Sequence, residues 1–366
     1  MYVKIKEGGT ELFVPDDFSS GGPGKITDQV FFNKQMAFNR DVSVMLLRSL
    51  NEEMSAVDSM AATGSRAVRI ANEVPGITVT ANDRDPKAYD CIMKNIDLNG
   101  LSNCTASNRD MNALLAENRY DYVDVDPFGS PIPFIDSAVR GCARNGIIAI
   151  TATDTAPLAG AHRAKCQRRY GSRPLRGPMC HESGLRILMS SLVRELAKFD
   201  RGMRPILSFY ADHYFRTYVK VTEGAVNADA ALSNLVYIRY DEKTLERSVS
   251  HEPDSEHKYG PIWGGALHDK TIVSKMSAAG MHEEKRCAKM LDLWSTELDH
   301  IPFSYDVSEV ASFTKVLSPK MDVLIDVLNQ YGRSSRSHTS PTAFRTELDL
   351  KEMLSAFTEA SGRGSS

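Results

Sequence analysis

At 366 residues the chain is long enough for two domains and a sizeable core. A formal net charge of −3 with 42% hydrophobic residues describes an ordinary soluble globular protein, and it neither advertises nor excludes a nucleic-acid partner, which binds through local patches. No apolar run reaches membrane-spanning length, the opening Met1-Tyr2-Val3-Lys4-Ile5-Lys6 lacks a signal-peptide core, and six cysteines without a C-x-x-C pair read as reduced cytosolic thiols, not a disulfide frame or zinc site.

Residues 1–24 read as an edge hairpin or arm ending in the glycine-rich Ser19-Ser20-Gly21-Gly22-Pro23-Gly24. Val30-Phe31-Phe32-Asn33 then leads through Asn39-Arg40-Asp41 into a helix with Val44, Leu46, Leu47 and Leu50 at helical spacing. A regular alternation follows: strand 55–60, helix 66–73, strand 77–83, and a helix opening at Pro86 with Asp85 as its N-cap. It continues with strand 104–107, a helix from Met111 after Asp110, strand 120–126, helix 132–143 and the apolar strand 146–151. Such spacing predicts βαβ units and a parallel, doubly wound sheet. After a long helix at 181–198, strands 205–210 and 214–221 are separated by only Ala211-Asp212-His213, which permits a hairpin but not a parallel crossover. The sheet therefore ends with an antiparallel strand. That departs from a dinucleotide-binding dehydrogenase and is similar to the seven-stranded, Rossmann-like sheet of class I AdoMet-dependent methyltransferases.

Beyond 224 come a strand at 234–240, a polar, loop-like stretch at 241–258 and an apolar turn at 259–265. From Asp269 the pattern is mostly helical. Val307, Val310, Leu317, Met321, Leu324, Ile325 and Leu328 give a core face to two short helices broken at Ser318-Pro319. Residues 331–346 read as a β wing carrying Arg333, Arg336 and Arg345 with no acidic residue between them. This α+β, winged-helix-like pattern suits a small nucleic-acid-binding module or a structural cap. The expected domains are 1–268 and 269–366.

The chemistry concentrates at strand ends. Asp58, Asp83, Asp110 and Asp126 close the first four sheet strands, where ligands of open α/β sheets bind. Asp58 opens a tight strand-to-helix turn, Asp58 through Arg66, whose single glycine, Gly64, suits a ligand without pyrophosphate. Asp83 stands where a carboxylate can hold two ribose hydroxyls, and Asp110 can hold an adenine amino group. Asp126-Pro127-Phe128-Gly129 combines an acceptor carboxylate, a residue with no backbone N–H, an aromatic ring and a hinge. It suits a flat base bearing an amine; the competing reading is an Asp-Pro turn with Phe128 plugging the core. Residues 161–177 carry Arg163, Lys165, Arg168, Arg169, Arg173 and Arg176 without an acid. A like-charged run is ordinarily a solvated face, but this one follows a strand on the ligand side of the sheet, which favours phosphate binding. Cys180 reads as packing and His181 as a helix-start residue.

Phe31-Phe32-Asn33 with Asn39-Arg40-Asp41, Asp58 through Arg66, Asp124-Val125-Asp126-Pro127-Phe128-Gly129-Ser130-Pro131, Asp154-Thr155-Ala156-Pro157-Leu158, Tyr170-Gly171 with Pro174-Leu175-Arg176, Cys180-His181-Glu182 with Gly184-Leu185-Arg186, Gly260-Pro261-Ile262-Trp263 with Leu267-His268-Asp269, and Ser340-Pro341-Thr342 occur in one order nearly end to end. In these the chain resembles the tRNA guanine-26 N2-dimethyltransferases. The resemblance implies AdoMet as methyl donor, tRNA as substrate, a cytoplasmic location, and no membrane or obligate protein partner. It places Arg40, Arg66, Asp83, Asp110 and Met111 around AdoMet, with Asp58 and Gly64 from the turn. Asp126, Pro127 and Phe128 take the part of the D-P-P-Y-type motif of amino methyltransferases. Phe31 and Phe128 would hold the target base between them, with Asn33 nearby and Arg168, Arg169 and Arg173 on the RNA. Many relatives carry a four-cysteine zinc cluster before the Gly-Pro-x-Trp segment. Residues 240–259 contain no cysteine, and His251 and His257 cannot complete a tetrahedral site, so no zinc is expected.

Overall fold

A computed structural model describes residues 2–18 and 30–363. The glycine-rich run at 19–24 lies outside them. The described chain opens with a hairpin, β1 (Tyr2–Glu7) and β2 (Thr10–Pro15). The alternating region follows as α1 (Ala37–Leu50), β3 (Met54–Asp58), α2 (Ser65–Glu73), β4 (Ile77–Asn82), α3 (Pro86–Leu98), β5 (Cys104–Ser107), α4 (Met111–Glu117), β6 (Tyr120–Val125), α5 (Ile132–Gly141) and β7 (Cys142–Ala152). Two short helices, α6 (Thr155–Leu158) and α7 (Arg163–Tyr170), precede the long α8 (Cys180–Ala197) and the hairpin β8 (Arg201–Ala211) and β9 (Tyr214–Glu223).

These strands form one seven-stranded sheet in the order β5-β4-β3-β6-β7-β9-β8. Strands β3 to β7 pair in parallel, β9 joins β7 antiparallel, and β8 pairs antiparallel with β9, as the short gap between those two requires. Successive residues point to opposite faces. Ala56, Val79, Tyr122 and Ala149 therefore enter a core beneath α1 and α2, while Val57, Val123, Val125 and Ile148 enter a second core beneath α5 and α8. The Asp85 side chain accepts from the Lys87 N–H and caps α3, with Pro86 opening the helix. Asp110 caps α4 in the same way.

After α9 (Ala225–Leu232), a small antiparallel sheet runs β11-β10-β12 from β10 (Leu235–Tyr240), β11 (Arg247–Ser250) and β12 (Tyr259–Trp263). Strand β11 lies within the stretch expected to be loop: its alternation is polar, and it is ordered by pairing with β10 and by the buried side chain of Arg247, which pairs with Glu309 and lies over the Tyr305 ring. Next come α10 (Lys270–Val273) and α11 (Glu284–Thr296), whose Val273, Cys287 and Trp294 lie in the core with α1. The remaining elements are β13 (Tyr305–Asp306), α12 (Val307–Thr314), α13 (Met321–Leu328), β14 (Ser334–Arg336), β15 (Ala343–Thr346) and α14 (Leu350–Arg363). They surround a core of their own, including Val310, Leu324, Phe344 and Phe357. A module beginning at 269 would thus include α10 and α11, which pack with the large sheet.

The wing departs from the expectation of a basic surface. Arg345 is fully buried: its Nη1 donates to Glu182 at 2.7 Å and its Nε to Glu297 at 3.1 Å. Beside it Arg186 donates from Nη2 to the carbonyls of Asp299 at 2.8 Å and Ile301 at 3.2 Å. Arg345 is a clasp between α8 and the C-terminal elements. Of the other two wing arginines, Arg336 pairs with Asp322 and Arg333 with Glu347 at 3.2 Å.

Candidate active site

The carboxyl ends of β3 to β6 open into a cavity of about 590 Å³, also lined by Val30, Phe31, Asn33 and Arg40 and by Asp212, His213 and Tyr214 of the β8–β9 turn. All four strand-end carboxylates reach it. The Asp83 oxygens accept from the backbone N–H of Ala62 at 2.9 Å and of Asp85 at 3.0 Å, which fixes the carboxylate against the β3–α2 turn. Asp110 Oδ1 accepts from Asn112 N–H at 2.9 Å, with Met111 beside it in the wall. Asn82, which sequence reasoning missed, ties these turns together: its Nδ2 donates to the carbonyls of Ser59 and Arg109, each at 3.0 Å.

The floor is a chain of buried charges. Arg216, wholly buried on β9, donates to both oxygens of Asp124, at 2.9 Å and 2.5 Å. Tyr122 donates to the same carboxylate at 2.6 Å. Burial works to raise the Asp124 carboxyl, but Arg216 and Arg66 outweigh it and hold it below the usual range. Arg66 has its Nε 3.7 Å from Asp124 and donates from Nη1 to Asn39 at 2.9 Å and to Ser43 at 2.7 Å. Its Nη2 pairs with Asp126 Oδ2, and Asp126 Oδ1 has no hydrogen-bond partner among the described residues. Arg66 was expected at the cofactor; Arg216 and Asp124 were not singled out. The signal for them was a charge in mid-strand at Arg216 with no neighbour in sequence to neutralise it.

The Asp126–Gly129 loop is pinned on its other side. Gly129, at φ 83°, lies in the left-handed region that favours glycine. Its N–H donates to Thr153 Oγ1 at 2.7 Å and its carbonyl accepts from Thr153 N–H at 2.9 Å. Ser130 donates to the Tyr170 hydroxyl at 2.9 Å, Tyr170 donates to Asp154 at 2.5 Å, and Arg169 donates to Asp154 at 3.1 Å. Phe128 is 53% exposed, which rules out the core plug. It meets Phe31 edge to face with centroids 4.6 Å apart. No space for a base separates the two rings, so a base can enter only after they part.

Arg40 is anchored by a residue that sequence reasoning missed. Its Nε and Nη2 donate to Glu7 at 2.7 and 2.6 Å, joining the first hairpin to the cavity wall. Burial alone would raise the Glu7 carboxyl, but Arg40 and Arg69 hold it down at about 2. Asn33, also in the wall, accepts from Gln35 N–H at 2.9 Å.

A profile of the family described as N2,N2-dimethylguanosine tRNA methyltransferase matches residues 14–358. The chain belongs to this family. It is 38% identical to the tRNA (guanine(26)-N(2))-dimethyltransferase of Pyrococcus horikoshii, covering 96% of this chain and 97% of that relative. It is 39% identical to the enzyme so named from Thermococcus kodakarensis, covering 94% and 96%. A solved structure of Trm1 from Pyrococcus horikoshii with S-adenosyl-L-methionine superposes with a TM-score of 0.89 at 36% identity, covering 97% of this chain and 100% of that one. The fold is therefore the family's Rossmann-like sheet with C-terminal sheets and helices appended.

Against the residues the family resemblance implied, the cavity gathers Phe31, Asn33, Arg40, Asp58, Arg66, Asp83, Asp110, Met111, Asp126, Pro127 and Phe128. Gly64 is not in its lining: at φ 75° it makes the left-handed turn before α2, and a Cβ there would meet Ile92 at 3.1 Å. Arg168 and Arg169 lie exposed on α7, outside the cavity, and the Arg173 guanidinium stacks on Tyr259 at 5.6 Å. Within the cysteine-free stretch 240–259, His257 bonds Asp254 and Ser248, each at 2.9 Å, and the adjoining Arg239 bridges Glu246 at 3.0 Å and Glu256 at 3.2 Å. Among the described residues, His268, Glu297 and His338 cluster closely enough to hold a metal. His268 Nε2 faces Glu297 at 3.3 Å, and its buried Nδ1 has no hydrogen-bond partner among the described residues. His338 Nε2 accepts from Tyr210 N–H at 3.4 Å, so its Nδ1 carries the hydrogen that Glu297 accepts at 2.6 Å.

Proposed function

We infer that this protein transfers methyl groups from S-adenosyl-L-methionine to the exocyclic N2 of guanine 26 in tRNA, giving N2-methyl- and N2,N2-dimethylguanosine. The observation that carries the reading is the Asp126 carboxylate, held by Arg66 through one oxygen and unpartnered at the other, beside the Phe31–Phe128 pair. The cavity residues fit the donor. Asp83 and Asp110 supply acceptors along one wall for hydroxyls and an amine, Val30, Ala88 and Met111 supply apolar surface, and the buried Asp58 carboxylate has no hydrogen-bond partner among the described residues.

Bound there, the donor supplies an electrophilic methyl carbon on a sulfonium leaving group. What remains for the protein is placement, because the N2 lone pair is delocalised into the guanine ring and the amine is a weak nucleophile. Asp126 Oδ1 accepts a hydrogen bond from the amine and turns its lone pair toward the methyl carbon. Pro127 contributes no competing N–H. As the N–C bond forms, Asp126 is positioned to receive the departing proton. Phe31 and Phe128 part and take the flipped base between them, offsetting an unstacking cost of a few kcal/mol. Arg168 and Arg169 meet backbone phosphates, and the elements from Tyr305 onward meet the body of the tRNA. No helix among the described residues is long and apolar enough to cross a membrane. The cytoplasm is the compartment this reading assigns.

The test is incubation with unmodified tRNA and methyl-labelled AdoMet, followed by mass spectrometry of the nucleosides and of nuclease fragments that locate the label. Label in N2-methylated guanosine at position 26 is expected. Label in another nucleoside, or at another position, refutes the assignment.

A further inference from the structure

Among the described residues, Asp58 is the carboxylate of the floor that no hydrogen bond or ion pair holds. It is the last residue of β3 and lies in register beside Asp124 on β6, so the two side chains leave the sheet on the same face. It is only 4% exposed, lines the cavity, and makes no hydrogen bond or ion pair among the described residues. Two guanidiniums, Arg66 and Arg216, serve this floor, and both are engaged, Arg216 by Asp124 and Arg66 by Asp124 and Asp126. With all three carboxylates ionised, the floor carries one negative charge in excess. A sulfonium is a fixed positive charge; the thioether left after transfer has none. We propose that Asp58 is the residue by which the site distinguishes the methyl donor from its spent product, giving up a proton to solvent as the sulfonium enters and taking one back once that charge is gone.

The inference rests on the methyltransferase reading and goes beyond it, since it assigns Asp58 charge matching, not chemistry. The groups that face Asp58 are Asp124 from β6, Asp126 from the loop after it, Arg66 from α2, Arg216 from β9 and the Cys104 thiol from β5. Burial, then the neighbouring Asp124 charge, pushes the Asp58 carboxyl up to about 7, with Arg66 opposing. Asp124, fixed by Arg216, stays ionised, which leaves Asp58 to carry the proton. The balance closes over a turnover. Transfer forms the N–C bond as the C–S bond breaks, returns that electron pair to sulfur and passes one proton from the amine nitrogen to Asp126, and Asp58 regains from solvent the proton it gave up as the positive charge disappears.

The experiment is titration calorimetry of the unmodified protein near pH 6, in two buffers of different ionisation enthalpy, with AdoMet and with S-adenosylhomocysteine. AdoMet binding is expected to release nearly one proton more than binding of the thioether. The ratio of the two affinities should rise about tenfold from pH 6 to pH 8 and then level, because only the ionised carboxylate favours the sulfonium. In Asp58→Asn both differences should vanish, a comparison that cancels protons belonging to the ligands. Equal proton counts for the two ligands on the unmodified protein would overturn the proposal even if AdoMet binds tightly. Failure of AdoMet to bind at all would overturn the methyltransferase reading with it.

Discussion

Replacing Arg216 by Met tests whether the buried charge chain organises the catalytic floor. Arg216 and Asp124 are both fully buried, and the pair is closed by two hydrogen bonds at 2.9 and 2.5 Å. Without the guanidinium, Asp124 would keep, among the described residues, the Tyr122 hydroxyl at 2.6 Å and the Arg66 Nε at 3.7 Å. Stranding one member of a buried ion pair costs about 3–5 kcal/mol, a large share of a typical stability of about 5–15 kcal/mol. Removing the second charge as well should recover much of that loss, because Asp124→Asn in the same chain leaves no bare carboxylate. The assay is equilibrium unfolding in urea of the single variants and the double variant, treated as a thermodynamic cycle. A single-variant loss below about 1 kcal/mol, or a double variant as unstable as the sum of the singles, would refute the reasoning.

Other consequences follow from the same geometry. Phe31→Ala or Phe128→Ala should lower turnover about fivefold to 150-fold, the worth of one base–aromatic stack of about 1–3 kcal/mol, with AdoMet affinity unchanged; loss of AdoMet binding in titration calorimetry would contradict the clamp. The Glu7 carboxyl, held at about 2 against an ordinary 4.5, contributes stability that is full above about pH 4.5 and lost as pH falls toward 2. Glu7→Gln should therefore flatten the acid-unfolding profile in that window, and superimposable profiles would remove the argument. Reversing Arg168 and Arg169 to Glu should weaken tRNA binding and flatten its dependence on salt; unchanged binding in filter assays would take α7 off the RNA path.

Much of the catalytic domain was legible because its signals are local. Apolar runs at helix-separated spacing gave the parallel strands, Asp85-Pro86 and Asp110 marked helix starts, and the three-residue gap at 211–213 forced the antiparallel end of the sheet. Strand-end position likewise located the four cavity carboxylates. What stayed hidden depends on partners distant in sequence. Arg345 looks like a wing cation beside Arg333 and Arg336, yet Glu182 and Glu297 draw it into the interior. Arg216 and Glu7 matter through Asp124 and Arg40, pairings that no local spacing encodes. Strand β11 was missed because its residues lack apolar alternation, and its order comes from the neighbouring strand and from Arg247 pairing with the distant Glu309. Gly64 was read from its turn alone, and what the sequence could not show is the distant constraint on it: a Cβ there would meet Ile92 of α3 at 3.1 Å.

The central claim is that Asp126 receives the amine while Arg66 fixes it from behind. It is tested most directly by single-turnover methyl transfer to unmodified tRNA by Asp126→Ala, with AdoMet binding measured on the same protein. The account predicts a rate lowered by about 10²–10⁴ with AdoMet affinity largely retained. Near-normal transfer by that variant would contradict it.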